Sequence, residues 1–512
     1  MLRHEPKQSS FHSILYDKIP ENHTLKKISL AVDFSFINEL LEDSYCKDFG
    51  RPAKEPELMC KLLLLQHLYD LSDEKVIEDG NLNLGYLYFL GVNPETLLPD
   101  KSLLSKFRTQ RLGETTLDEM ILEVVRQCVE KGIIKGKSVS IDATHIEANT
   151  KKKTPERLMK HLGRKIIKTY EEETGQSLKD VPEAPDYKEI EDHNKAKAEM
   201  KTYLETVIDQ VEKKTTTKET KTHQVIQKSK EILKDPKFMN QKGTRSLIDE
   251  EARVGRKSKT QDFYGYKTEF VMTTDERIIT SVRTADGAYI DGGYAKEMLV
   301  ETKKSGIVLE EVYGDKAYFR KPILDDIEEI NAKAYIPVSA TVYRLDESEF
   351  TYNKDSDEWQ CSQGNTTVNK KRFSTKRKEG GKREGYRYYF ELYQCKTCPL
   401  HDECAKKSAR RILTVGLNTA DFFEISQYQK TDEFKEKYKK RASIEGKNAE
   451  LKRFHGLSRA RGYGLLGVSI QSKLAALAVN LKRIAAILSS NINGFFSEFI
   501  ILYPKIVILA IY

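Results

Sequence analysis

Apolar positions recur at helical spacing in the first part of the chain and then change period. Ile37, Leu40 and Leu41, followed by Leu58, Leu62, Leu63, Leu65 and Leu68, repeat every three to four positions. The break at Gly50–Pro56 ends in a proline placed as a helix start. Residues 1–112 therefore predict a compact helical domain. Its last element, a short basic helix within Pro99–Arg111, exposes Lys106, Arg108 and Arg111, a pattern that suits docking on DNA phosphates and equally suits an ordinary charged face. Thr116–Gly132 predicts one more amphipathic helix, stopped by its glycine. At Gly136–Thr150 the period drops to two. Val139, Ile141, Ala143 and His145 alternate with Ser140, Asp142, Thr144 and Ile146, which predicts a strand carrying an acid. An acid inside a strand needs a partner or a metal. His145 and Glu147 beside it read as supporting or structural.

The pattern resumes further on. Tyr266–Thr273 predicts a strand, Thr274–Arg277 a turn and Ile278–Thr284 its antiparallel partner. Glu297–Lys304 predicts a helix, Gly306 stops it, and Ile307–Leu324 carries a third strand with Asp315 at its end. Val468–Ser490 is an amphipathic helix through Leu474, Leu477, Leu481, Ile484 and Leu488, placed to pack behind a sheet. Strand, hairpin, helix and strand make an α/β order, with a mixed sheet flanked by helices assembled from residues 113–150, 244–345 and 425–490. Two insertions interrupt it. Residues 151–243 open with Lys151–Lys153 and read as long charged helices, a spacer in preference to a phosphate-tracking arm. Residues 346–424 are rich in aromatics and strand-like runs. The tail, 491–512, is apolar but interrupted by Glu498, Pro504 and Lys505, so it reads as a packed chain end in preference to a membrane anchor.

Composition narrows the class. Of 512 residues 32% are charged and the formal net charge is +8, which allows a nucleic-acid partner without requiring one. Seven cysteines, an odd number, and an N-terminus without an apolar signal region point to a reducing cytosol. Cys361, Cys395, Cys398 and Cys404, spaced C-x33-C-x2-C-x5-C, offer four thiolates for a structural zinc, with His401 able to replace one; free surface thiols are the alternative. In the same insertion Lys370, Lys371 and Arg372 open a basic run interleaved with aromatics and continued by Lys382, Arg383 and Arg387, a DNA-contact candidate.

The stretch Tyr438–Lys452 spaces Tyr438, Arg441, Glu445 and Lys452 as Y-x2-R-x3-E-x6-K. On one continuous helix these share a stripe. With Asp142 in a first strand and Asp315 at the end of a later one, Glu445 completes three acids able to converge. Phosphodiester chemistry with two divalent ions asks for this donor set, and Mg²⁺ suits oxygen ligands.

At these residues the chain resembles the DDE transposases of bacterial insertion sequences, in the group with a Tyr-Arg-Glu-Lys signature around the third acid. The resemblance spans GRPA and DKSLLSKFR in the helical domain, SIDATHIEA, DEEAR, VYGDKAY, the cysteine insertion and RASIEGKNAELKR. It implies an RNase H-like core interrupted before the last acid, with Asp142, Asp315 and Glu445 as ligands of two Mg²⁺ ions for which Mn²⁺ substitutes. Tyr438, Arg441 and Lys452 would hold DNA phosphates near the cut end. Water and then a DNA 3′-hydroxyl would be the nucleophiles, not Tyr438. Trp359, the only tryptophan, could stabilise a flipped base as in relatives, but a structural role is the expectation. Ala317 departs from the glycine common after the second acid, and the apolar tail departs further. The implied partners are double-stranded DNA, both element ends and target, and a second copy of the chain in a synaptic homodimer, in the bacterial cytoplasm at the nucleoid and with no membrane. The rivals are a nuclease or resolvase on the same core without strand transfer, and an inactive DNA-binding derivative.

Overall fold

The computed structural model describes residues 11–46, 52–178, 181–215, 220–240, 243–258, 260–376, 381–405 and 408–502, the last twelve of these by their backbone alone. At its centre stands a mixed sheet whose middle strand is β1 (Ser138–Glu147). On one side β3 (Asp262–Thr273) runs antiparallel to it, Val139 facing Thr273 and Glu147 facing Gly265. The far edge of β3 is shared end to end by β2 (Arg253–Arg256) and β4 (Ile279–Asp286), both antiparallel. On the other side β5 (Glu311–Tyr313) and β6 (Lys333–Tyr335) run parallel to β1. The β3–β4 hairpin turns through Thr274–Arg277 as its sequence predicts, with Arg277 at φ 61°.

A C-terminal helix, Leu465–Leu502, is the beam behind this sheet. It packs on β3 and β4, on the helix Glu114–Glu130, and on the N-terminal helices Thr24–Ala31 and Pro56–Leu68. The predicted amphipathic stripe is buried on more than one face, since Ser469, Gln471, Ser472, Lys473 and Asn480 are buried with the leucines. Each of these polar groups needs a partner there. Asn480 exchanges both bonds with Ile279, accepting from its N–H and donating to its carbonyl at 2.7 Å each, and so closes an edge of β4. Lys473 donates to Asp118 at 2.9 Å. The N-terminal helices share one apolar core with the sheet, running from Leu25 to Ala485.

The first insertion is three long helices, Pro155–Thr174, His193–Lys214 and Lys221–Lys234. They close on a core of their own around Leu162, Ile166, Leu204, Val207 and Phe238. The neck is one antiparallel bridge between Lys153 and Arg245. The second insertion is a hairpin of β7 (Phe350–Asn353) and β8 (Glu358–Cys361) beside a sheet of β9 (Thr367–Lys376), β10 (Lys382–Phe390) and β11 (Ile412–Gly416). Trp359 is fully buried there, its ring 4.7 Å from Tyr352 and edge-on to Phe423 at 5.5 Å, which is the structural role expected of it. Helix continues through the first part of the tail, and residues 503–512 lie outside the described residues. Among the described residues no helix is long and apolar enough to cross a membrane.

Candidate active site

The parallel pairing of β1 with β5 decides which acids meet. Ser140 faces Tyr313, and two residues further along from each stand Asp142, still within β1, and Asp315, just past the end of β5. Asp315 caps the turn Lys316–Tyr318, accepting from the Ala317 N–H at 2.8 Å. Asp142 is mostly buried. Burial pushes its pKa up to about 6; nearby Arg441 opposes this and the charge of Asp315 adds to it.

The signature residues arrive on three elements where the sequence predicts one helix. Tyr438 ends the helix Asp432–Tyr438, Arg441 closes a tight 3₁₀ turn, Lys439–Arg441, and Glu445 and Lys452 lie on the helix Ala442–Phe454. Aromatic packing explains the placement. The rings of Tyr313 and Tyr335 stack at 5.0 Å, those of Phe434 and Tyr438 at 5.6 Å, and Phe434 lies 5.8 Å from Tyr335. This pins the first helix against β6, and the helix after the 3₁₀ turn lies against β1. The Tyr438 hydroxyl donates to the Gly314 carbonyl at 3.3 Å.

Arg441 is the hub of the acids. Its guanidinium lies 2.8 Å from Glu445 and 3.8 Å from the Asp142 carboxylate. Burial works against its charge, and Asp142, Tyr438, Glu445 and Asp315 outweigh that and raise its pKa. Glu445 itself is 65% exposed, so Asp142, midway along β1, and Asp315, just past β5, are gathered together while the third acid stands at the rim, held by arginine. Among the described residues no three His, Cys, Asp or Glu side chains close on a point as metal ligands. Asn448 was not singled out by the sequence. One turn beyond Glu445, its amide donates to Asp142 at 2.9 Å while its carbonyl oxygen is buried without a partner. A single polar residue in a Lys/Glu-rich helix gives no signal until the helix is set against β1.

Lys452 meets His145, its amine 3.2 Å from the imidazole. Burial and the neighbouring Lys257 lower the Lys452 pKa to about 8, and burial with Lys452 lowers that of His145 to about 4. A neutral imidazole can thus accept from the lysine.

The outlying candidates separate. Arg108 pairs with Asp73 and bonds Gln66 at 3.2 Å, Arg111 bonds the Ser44 carbonyl over the Tyr45 ring, and Lys106 is exposed. Along β9 the side chains alternate. Lys370 pairs with Asp357 at 2.7 Å and Arg372 approaches Glu384 at 3.6 Å, while Lys371 on the opposite face lies over Tyr389. The zinc expectation is not supported. Cys361, Cys395, Cys398 and Cys404, with His401, line a cavity of about 330 Å³, and no metal-holding set is formed among the described residues. The His401 ring nitrogen is engaged with the Cys395 carbonyl at 2.8 Å, and the thiols are free.

Two family comparisons bracket this geometry. The family described as Transposase domain matches residues 13–110, and the one described as Transposase DDE domain matches residues 360–485, which include the whole Tyr438–Lys452 signature. Both matches are to transposase families, and they support a transposase enzyme of the DDE class. Asp142 and Asp315 lie between the two matched stretches. Over 143 residues the chain is 27% identical to an uncharacterized protein, ORF8 in the nfe locus of Rhizobium meliloti, a match that covers 27% of this chain and 68% of the relative. The cryo-EM structure of a piggyBac transposase synaptic complex with hairpin DNA overlaps 93% of this chain and 77% of that chain, at 9% identity and a TM-score of 0.32. A transposase DDE domain implies divalent-metal dependence and DNA as partner.

Proposed function

We propose that this transposase binds the terminal inverted repeats of an insertion sequence, cleaves at their 3′ ends with Mg²⁺ and joins those ends to target DNA. One observation carries the reading: Asp142, midway along β1, and Asp315, just past the end of the adjacent parallel β5, are faced by Arg441 of the 3₁₀ turn and by the helix that brings Glu445 and Asn448. The strand order supports an RNase H-like core, with three antiparallel strands, β4, β3 and β1, continued by the parallel β5 and β6.

The donor set of Asp142, Asp315 and Glu445 is all oxygen, which fits Mg²⁺, and the partnerless Asn448 oxygen adds a buried acceptor beside it. Bound there, Mg²⁺ would supply Lewis-acid activation of water and of the DNA 3′-hydroxyl. Arg441 now answers the negative charge of Asp142 and Glu445, so it guards the pocket and is placed to move to a scissile phosphate. Tyr438 and Lys452 flank that path as further phosphate contacts, and neutral His145 keeps the Lys452 amine turned toward it. Lys106, Arg111 and Lys371 are the outlying cations best presented to DNA; Arg108, Lys370 and Arg372 are committed first to carboxylates. The working form is a homodimer on paired ends in the cytoplasm, at the nucleoid.

Replacing Asp142, Asp315 or Glu445 by alanine should abolish Mg²⁺-dependent end cleavage and joining on a plasmid carrying the element, with end binding retained in a gel-shift assay. Cleavage surviving in any of the three removes that residue from the chemistry, and cleavage surviving in all three ends the proposal. Cleavage without joined products would identify a nuclease instead.

A further inference from the structure

Past Lys452 the end of β1 opens into a cavity of about 530 Å³. Five cations line it: Lys151, Lys152, Lys153, Arg157 and Arg459. Two acids face them, Glu147 and Asp262, and the Asp262 carboxylate lies 3.6 Å from Arg256. Among the described residues none of the five cations has an ion pair. The helix Pro155–Thr174 starts here, capped by Thr154, and its aligned peptide dipoles bring roughly half a positive charge to its N-terminus. Acids are the stabilising choice at such an end, and this sequence offers one, Glu156, against three preceding lysines and Arg157. That much like charge is held together at a stability cost that an anion would remove. The cavity also adjoins the site: its wall includes Phe263, whose ring is 5.1 Å from that of His145, the partner of Lys452.

We propose that this cleft, at the root of the helical insertion, binds the phosphates of the DNA duplex that leaves the acid site. The proposal rests on reading the chain as a DNA transposase, and it gives the insertion's base a role in substrate grip. Five residues of strand from Asp142 to Glu147 span about 16 Å at roughly 3.3 Å per residue. A B-DNA strand presents a phosphate about every 3.4 Å of axis, so about five phosphates separate the chemistry from the cleft.

The test uses the full chain, a 30-base-pair duplex of arbitrary sequence and fluorescence anisotropy across a salt series. The variant K151Q/K152Q/R157Q removes three exposed cations of the cleft. K213Q/K214Q/K234Q removes three exposed cations elsewhere on the same insertion, and thermal melting checks that both variants fold. For three lost phosphate contacts the slope of log affinity against log salt should fall by about 2.7, which is roughly a hundredfold weaker binding near 0.15 M salt. The control variant should keep the wild-type slope. An unchanged slope in the cleft variant, or an equal drop in both variants, overturns the cleft while leaving the transposase reading intact. A wild-type chain that binds no duplex at low salt overturns both.

Discussion

The two insertions are built on opposite principles. The helical one closes its own core, from Leu158 to Phe238, and joins the sheet through a narrow neck. Among the described residues the strand-rich one has no separate core. Phe350, Trp359, Tyr388 and Phe390 belong to the same apolar cluster as the central sheet and the C-terminal helix, reached through Phe422 and Phe423 of the helix Thr419–Lys430. That helix leads directly into Asp432–Tyr438 and the signature residues. One insertion is therefore an attached unit, free to unfold alone, and the other is part of the wall that holds the candidate active site.

Three experiments separate the two insertions. The largest effect is excision. Lys153 and Arg245 already exchange both backbone bonds, at 2.9 and 3.1 Å, so residues 154–244 can be replaced by a short turn. The shortened chain should still melt cooperatively within a few degrees of the parent by calorimetry. Excising 346–418 should abolish cooperative melting, and two similar outcomes would erase the distinction. Next come point changes inside each core. Trp359→Ala should lower global stability in urea by about 3–5 kcal/mol. Leu204→Ala should lose about 2–5 kcal/mol that hydrogen exchange registers only in the amides of the helical insertion. The smallest effect concerns the seam of the N-terminal helices, which share the main core as the strand-rich insertion does. His67 is buried there with its ring nitrogen unpartnered, and burial, then Arg461 and Arg108, hold its pKa well below the usual value. The neutral ring is favoured on folding, so this stability is present above about pH 6.5 and is lost as pH falls below it, by up to about 1.4 kcal/mol per unit. His67→Gln should flatten the fall in melting temperature between pH 7 and pH 5, and an unchanged profile would mean that His67 is not the sensor.

Much of the site was legible because its clues are local. The switch from period three-to-four to period two marks β1 around Asp142, and a short apolar run ending in Gly314-Asp315 marks the end of β5. The break at Lys439–Arg441 was not legible, since lysine and arginine are good helix formers and nothing there forbids a straight helix. Nor could the basic run be sorted. Lys370 and Lys371 differ by one position, and only their strand register against Tyr388 and Arg387 puts one beside Asp357 and leaves the other outward. The cysteine spacing suggested a zinc knuckle, and the four cysteines do line one cavity, but among the described residues no metal-holding set is formed there.

By itself, then, the order of residues determined the elements, the α/β class and the chemical character of each candidate, because periodicity and side-chain type act within a few positions. Which carboxylates meet, that Arg441 stands between Asp142 and Glu445, and that Asn448 reaches the first acid were decided only by tertiary structure. Those contacts depend on strand register and on how one helix lies against β1, and both are set by packing between residues hundreds of positions apart.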